Sequence, residues 1–164
     1  MALVVEDGTG VSGANSLVSV ADAQAYAAAR GRSELTNATT AEQLLLQAMD
    51  YLIGLESRFK GTRVNYNQAL PFPRHGLTID GEEWPSNTIP PLVVSTQIQL
   101  AIEEGQGDLN NPTAKNFVTE KTVHGAVTVK YATAPGVTAY ARRTSDGMLA
   151  QFSASKGATQ VVRA

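Results

Sequence analysis

The stretch T-T-A-E-Q-L-L-L-Q-A-M-D-Y-L-I-G-L-E-S-R-F-K, residues 39–60, decides the fold class. Leu44, Ala48, Leu52, Leu55 and Phe59 recur at helical spacing, and Leu45, Met49 and Ile53 widen the stripe. Thr39 or Thr40, followed by Glu42 or Gln43, has the form of a capping box, so the helix is predicted to begin there, to run to about Lys60 and to stop at Gly61. A helix apolar on well over half its circumference belongs at the centre of a core.

Working outward, Ser19 reads as an N-cap with Asp22 as its reciprocal acid, which predicts an Ala-rich helix over about Val20–Arg30 ending at Gly31. Residues 1–18, with Gly8, Gly10 and Gly13 among Thr and Ser, read as an extended, flexible lead-in. Residues 61–91 form a long connection holding Pro71, Pro73, Pro85, Pro90 and Pro91. Its Tyr66, Leu70, Phe72, Leu77, Ile79 and Trp84 point to a loop packed over the helices by its own side chains. Pro90-Pro91 is placed to open a third helix over about Leu92–Glu104, which Gly105 and Gly107 end. After residue 114 the period changes: Val118, Lys121, Val123 and then Val127, Val129, Tyr131 alternate around His124-Gly125, as in a β-hairpin over about 117–131.

Beyond residue 135 the pattern weakens. Val137–Arg143 and Asp146–Phe152 read as short helical turns, with Ser145 as a cap, and 157–164 has too little apolar surface to fold alone. The expectation is a mainly α protein: a small bundle of three main helices with a protruding β-hairpin and extended termini. Residues 1–134 would form one domain, and 135–164 a C-terminal arm.

The composition narrows the chemistry. In 164 residues there is no cysteine, which excludes disulfides, thiolate metal sites and a cysteine nucleophile. No apolar run approaches a membrane span, and the acidic start argues against a signal peptide. The net charge of −2 resolves into four blocks: residues 1–57 carry −5, 58–75 carry +4, 76–114 carry −6 and 115–164 carry +5. With only 17% charged residues, the surface is rich in Ala, Thr, Ser, Gly and Asn, as suits a face covered by neighbouring subunits. Opposed blocks of charge suit a subunit that repeats against copies of itself.

Signals for catalysis are poor. His75 and His124 lack metal-ligand spacing, and the adjacent pairs Glu82–Glu83 and Glu103–Glu104 read as solvated edges. The opening D-G-T-G-V-S-G lacks the strand–turn–helix context of a phosphate loop, and no serine lies in a G-x-S-x-G setting. No catalytic residue, metal ligand or cofactor is therefore expected. The stretch R-F-K-G-T-R-V-N-Y-N-Q-A-L-P-F-P-R-H-G, residues 58–76, supports two readings. Lys60, Arg63 and Arg74, interleaved with Phe59, Tyr66 and Phe72, could pair phosphates and stack bases of single-stranded nucleic acid. Alternatively, Phe59 closes the helical stripe, Phe72 plugs the core, and the cations cap a helix end or meet the acidic blocks. The basic tail suggests partner-binding residues: Arg142, Arg143, Phe152, Lys156, Val161, Val162 and Arg163. On the hairpin, Lys121, His124 and Lys130 are placed to meet a partner or to line a channel.

Several stretches together resemble a known family. A-L-V-V-E-D-G-T-G-V-S-G-A-N-S at the start, E-Q-L-L-L-Q-A-M-D-Y-L-I-G-L, F-K-G-T-R-V-N-Y-N-Q-A-L-P-F-P-R and I-P-P-L-V-V-S-T-Q-I-Q-L-A resemble tailed-phage neck proteins of head–tail connector (adaptor) type, often described as DnaT-like single-stranded-DNA-binding proteins. Gln68 to Arg74 carries the most telling pattern, Q-x-L-x-aromatic-P-R, and the resemblance covers about residues 2–105. It implies a small helical bundle with a projecting hairpin, assembled as a homo-oligomeric ring, commonly of twelve subunits, beneath the portal protein. Such a ring extends the channel through which genomic DNA passes without sequence specificity. It docks a stopper, terminator or tail protein, and sits in the virion neck after assembly in the host cytoplasm. Relatives often end in an apolar helix, whereas this chain has a basic Ser/Ala/Gly-rich end.

Overall fold

Four helices, three of them where capping residues and apolar spacing direct them, build the larger of two compact units, formed by the residues up to 109 together with those from 143 onward. The computed structural model describes residues 3–107, 117–124, 126–132 and 144–154. Helix α1 spans Val20–Ala28. The Ser19 hydroxyl accepts from the Asp22 N–H and donates to the Asp22 carboxylate at 2.6 Å, closing the predicted cap. Gly31, at φ +64°, ends the helix: the Arg32 and Gly31 N–H groups donate back to the Ala27 and Ala28 carbonyls.

Helix α2, Ala38–Gly54, buries Ala41, Leu44, Leu45, Ala48, Met49 and Leu52, the core of the predicted stripe. Both its ends differ from expectation. Asn37, not Thr39 or Thr40, is the cap, its side-chain oxygen accepting from the Thr40 N–H. The helix stops at Gly54 and passes through a 3-10 turn at Glu56–Arg58, leaving Phe59 extended at φ −77° and ψ 142°. Phe59 is in the core, as its spacing implied, but it arrives there on extended backbone.

Helix α3, Pro91–Gln106, opens with proline at its first position. Seven consecutive residues, Thr96 to Ile102, are buried. That makes α3 the central helix. α2 instead keeps a polar outer face, on which Ile53 is 40% exposed. The core is stitched by a buried polar side chain: Gln97 accepts from the Leu17 N–H and donates to the Ser16 hydroxyl and the Leu45 carbonyl. One residue thus ties α2, α3 and the N-terminal segment together.

That N-terminal segment is not an extended lead-in. Glu6 is 2% exposed, and its carboxylate accepts the N–H groups of Gly8, Gly10 and Val11 at 2.8–2.9 Å. The glycine-rich opening is a nest of amides around an internal carboxylate, a small-scale anion site already filled. Gly8, at φ +108°, lies so close to Asn87 that a Cβ there would be 2.5 Å from the Asn87 carbonyl oxygen.

The connection 61–91 carries two small antiparallel pairs. Strand β1 (Thr62–Arg63) pairs with β2 (Arg74–His75), and β3 (Thr78–Ile79) pairs with β4 (Glu82–Glu83). Asp80 at φ +53° and Gly81 at φ +87° join β3 to β4, as a two-residue turn with both central φ values positive requires.

Helix α4, Thr144–Phe152, lies where a short helical turn over Asp146–Phe152 was expected, and it places residues 144–154 of the expected arm in the body of the larger unit. Phe152 is fully buried, with ring centroids 5.3 Å from Phe59 and 5.8 Å from Phe72. The backbone of 58–60 pairs antiparallel with 152–154, through Lys60 N–H to the Phe152 carbonyl and Ala154 N–H to the Arg58 carbonyl. The physical reason is that the rings of Phe59, Phe72 and Phe152 pack against one another, with pairwise centroid separations of 5.2, 5.3 and 5.8 Å.

The second unit, residues 110–142, holds the predicted hairpin. Strand β5 (Phe117–His124) pairs antiparallel with β6 (Ala126–Ala132), with His124 opposite Ala126 and an irregularity between Val118 and Glu120. Among the described residues the fold is mainly α with a hairpin, as expected, and the short α4 joins the three main helices.

Candidate functional site

The basic stretch 58–76 is where the sequence placed its strongest candidate chemistry, and the fold turns nearly all of that chemistry inward. Arg63 lies on β1, where its Nε and Nη2 meet the two Glu56 carboxylate oxygens at 2.5 and 2.6 Å. Its Nη1 donates to the Gln68 carbonyl. Arg74 lies on β2 and is 7% exposed. Its three nitrogens each reach a different carbonyl: Nε to Lys60, Nη1 to Pro71 and Nη2 to Gly61, at 2.7–3.1 Å. Glu56 approaches Arg74 as well, at 3.5 Å. Lys60 donates its ammonium to the carbonyls of Thr78 and Gln151, joining β3 to α4.

These contacts set the local electrostatics. The hydrogen bond from Arg63 holds the Glu56 carboxyl below its ordinary value, and the charges of Arg63 and Arg74 add to the effect. The same pairing raises Arg63, whereas burial lowers Arg74. Arginine is the residue type for such a place, since its planar fork can serve three fixed acceptors at once.

Gln68 completes the arrangement. It is buried; its amide nitrogen donates to the Leu70 and Pro73 carbonyls and its oxygen accepts from the Asn65 N–H. Leu70 and Phe72 fill the core between the two polar ends, and the Phe72–Pro73 bond is cis. The Q-x-L-x-aromatic-P-R pattern is thus a brace: its polar residues satisfy the turn's own carbonyls, and its apolar residues close the core.

Of the three aromatic residues in this stretch, Phe59 and Phe72 are core residues, and only Tyr66 faces solvent, at 93% exposure. Lys60, Arg63 and Arg74 are therefore brought together, but around carbonyls and Glu56 rather than toward a phosphate path. The reading in which Phe59 and Phe72 are core and the cations meet internal acceptors is the one the geometry follows.

The remaining candidates separate clearly. Phe152 is in the core and is not available for docking on a partner; its ring is held by Phe59 and Phe72. Arg142, Arg143, Lys156, Val161, Val162 and Arg163 lie outside the described residues. Lys121, His124 and Lys130 lie on the paired strands β5 and β6. His75 is exposed on β2, and Glu82 and Glu83 are exposed on β4. Glu103 is not a solvated edge: its carboxylate accepts from Gln99 and from both the N–H and the hydroxyl of Ser145, so α3 caps the start of α4. Among the described residues no group of three or more His, Asp or Glu side chains could hold a metal ion, and no helix is long and apolar enough to cross a membrane.

Sequence reasoning missed Glu6 and Gln97, which look like surface residues by type. Asp80-Gly81 was a usable signal for a hairpin and was absorbed into the long loop. No curated protein and no solved structure shows significant similarity to the chain. A family model described as "Putative DnaT-like ssDNA binding protein" matches residues 1–164, and the chain belongs to that family.

Proposed function

We propose that the protein is a structural subunit of a phage neck, a head–tail connector that forms a homo-oligomeric ring under the portal and carries no catalytic centre. The observation that carries this reading is the fate of the 58–76 stretch. Its most family-like residues, Gln68 to Arg74, build a rigid brace, and Lys60, Arg63 and Arg74 are engaged with internal acceptors, while Arg58 stays exposed. A body in which candidate chemistry is converted into architecture suits a scaffold. In this reading the portal, a stopper, terminator or tail protein, and DNA passing without sequence specificity are the partners, and the virion neck is the location. The opposed charge blocks would set register between copies, because a closed ring joins two different faces of the same subunit. The test is imaging of the purified protein, alone and mixed with portal rings: subunit rings with a central channel support the reading, and a monomer that ignores portal refutes it.

The whole-chain family match favours a second reading, binding of single-stranded DNA, and its description speaks for that reading more than for the first. If four phosphates were paired, binding measured by fluorescence anisotropy should weaken with a log–log salt slope on the order of −3. Absence of binding at low salt would remove this reading. Because Lys60, Arg63 and Arg74 brace the fold, their charge reversal would confound such a test.

A further inference from the structure

Two of the three aromatic rings in the basic stretch, Phe59 and Phe72, are core, and the third, Tyr66, is 93% exposed. It stands on the loop between β1 and the buried Gln68, and hydrogen bonds hold that loop from both sides. Arg63, gripped by Glu56, donates to the Gln68 carbonyl at 2.8 Å. The Gln68 side chain accepts from the Asn65 N–H at 3.0 Å, and the Gln68 N–H donates to the Asn65 carbonyl. The Asn65 side chain in turn accepts from the Asn67 N–H. None of these bonds uses the ring. The ordering cost of presenting it is therefore met on folding, which leaves more of any contact energy for binding.

We propose that Tyr66 is a base-stacking platform for single-stranded DNA, set in an electropositive corner of the fold that draws in the phosphates. The inference rests on the single-stranded-DNA reading above, whose ground is the whole-chain family match. It moves the site away from the cations that brace the turn and onto the ring that the turn displays.

Charge supports this occupant. Residues 56–75 hold Arg58, Lys60, Arg63 and Arg74 against Glu56 alone, a net of +3 with histidine neutral. Carbonyl acceptors satisfy the donors of Lys60 and Arg74 but leave their charge in place. The single carboxylate, Glu56, is shared between Arg63 at 2.5 Å and Arg74 at 3.5 Å. Arg58, between Glu56 and Lys60 in the chain, is exposed. The next acids, Asp80, Glu82 and Glu83, belong to the separate β3–β4 pair. A positive field around an exposed ring suits a polyanion that carries aromatic bases. The ring's immediate neighbours, Asn65 and Asn67, are exposed amides able to meet base edges. Every base has a π-face, so a lone platform of this kind binds without sequence preference.

The test uses the full chain, Tyr66→Ala, Tyr66→Phe and Arg58→Glu, none of which removes a buried group, with circular dichroism as the folding control. Binding to a fluorescent oligothymidylate and to an abasic strand of the same length is followed by anisotropy at several salt concentrations. Tyr66→Ala should bind oligothymidylate about five- to hundredfold more weakly, as the loss of one stacked base implies, while Tyr66→Phe stays near wild type. The abasic strand should bind Tyr66→Ala and wild type alike, because it offers phosphates but nothing to stack. Arg58→Glu should weaken binding to both strands and flatten the log–log salt slope. A wild type that binds neither strand at low salt overturns the single-stranded-DNA reading and this inference with it. A wild type that binds while Tyr66→Ala binds equally well, or while Tyr66→Ala loses as much on the abasic strand, overturns the inference alone. So does Arg58→Glu binding as tightly as wild type, since the strand then lies elsewhere. Unchanged DNA binding with lost self-association of Tyr66→Ala in sedimentation velocity would overturn it in favour of a protein contact.

Discussion

Replacing Phe152 by alanine tests whether the C-terminal segment is body or arm. In the structure the ring is fully buried and touches Phe59 and Phe72 at centroid separations of 5.3 and 5.8 Å. Truncating a fully buried phenylalanine removes its transfer free energy and leaves a cavity, together costing about 3–5 kcal/mol. The two aromatic contacts push the value toward the upper end, since each such pair adds about 0.5–1.5 kcal/mol. A domain with about 5–15 kcal/mol of stability would lose a large share of it. The single tryptophan, Trp84, is half-buried against the same unit's core and reports its unfolding. With a urea dependence of about 2 kcal/mol per molar, the midpoint should fall by about 2 M. Phe152→Leu, which keeps most of the buried area, should lose clearly less. A loss below about 1 kcal/mol for Phe152→Ala would mean that α4 does not complete the core, and the segment would return to being an arm.

Arg74→Lys should cost about 2–4 kcal/mol in the same urea assay, because an ammonium cannot meet three carbonyls with the geometry of a guanidinium fork; an unchanged midpoint would show the fork to be idle. Gln97→Leu, similar in volume, leaves the buried Leu17 N–H without an acceptor and should cost about 1–3 kcal/mol, read from the same transition. Glu56 should lend the protein an acid-sensitive component of stability. Its folded value lies below its ordinary 4.5, so the contribution is present above that value and is lost as pH falls through the folded one. The stability gap between wild type and Glu56→Gln should therefore be widest near neutrality and close below pH 4.5; a gap independent of pH would refute the ion pair's role.

How much of this was legible in the sequence depended on whether a residue's role was local. The Ser19–Asp22 cap, the Gly31 stop and the Pro91 opening of α3 involve partners within a few positions, and each was readable from spacing. The apolar stripe of α2 was readable too, but not its rank in the core. Periodicity reports which side of a helix is apolar, and α3, carrying Thr96, Gln97 and Gln99 among its buried residues, has no clean stripe to report. Gln97 is buried because its partners are Leu17 and Leu45, 80 and 52 positions away. Phe152 was misassigned for the same reason: the rings that bury it are Phe59 and Phe72, and nothing near it in sequence announces them.

The basic stretch makes the complementary point about function. Interleaved cations and aromatics satisfy a compositional rule for nucleic-acid binding, but composition does not say which way a side chain faces. The turn from Lys60 to Arg74 folds back on itself, and its inward-facing carbonyls (Lys60, Gly61, Leu70, Pro71, Pro73) need donors that an apolar core cannot supply. Arg63, Arg74 and Gln68 are the long donor-bearing side chains of the turn, and the demand for satisfied backbone engages all three. The residue that this demand leaves over is Tyr66, whose ring stays in solvent at 93% exposure while Phe59 and Phe72 close the core.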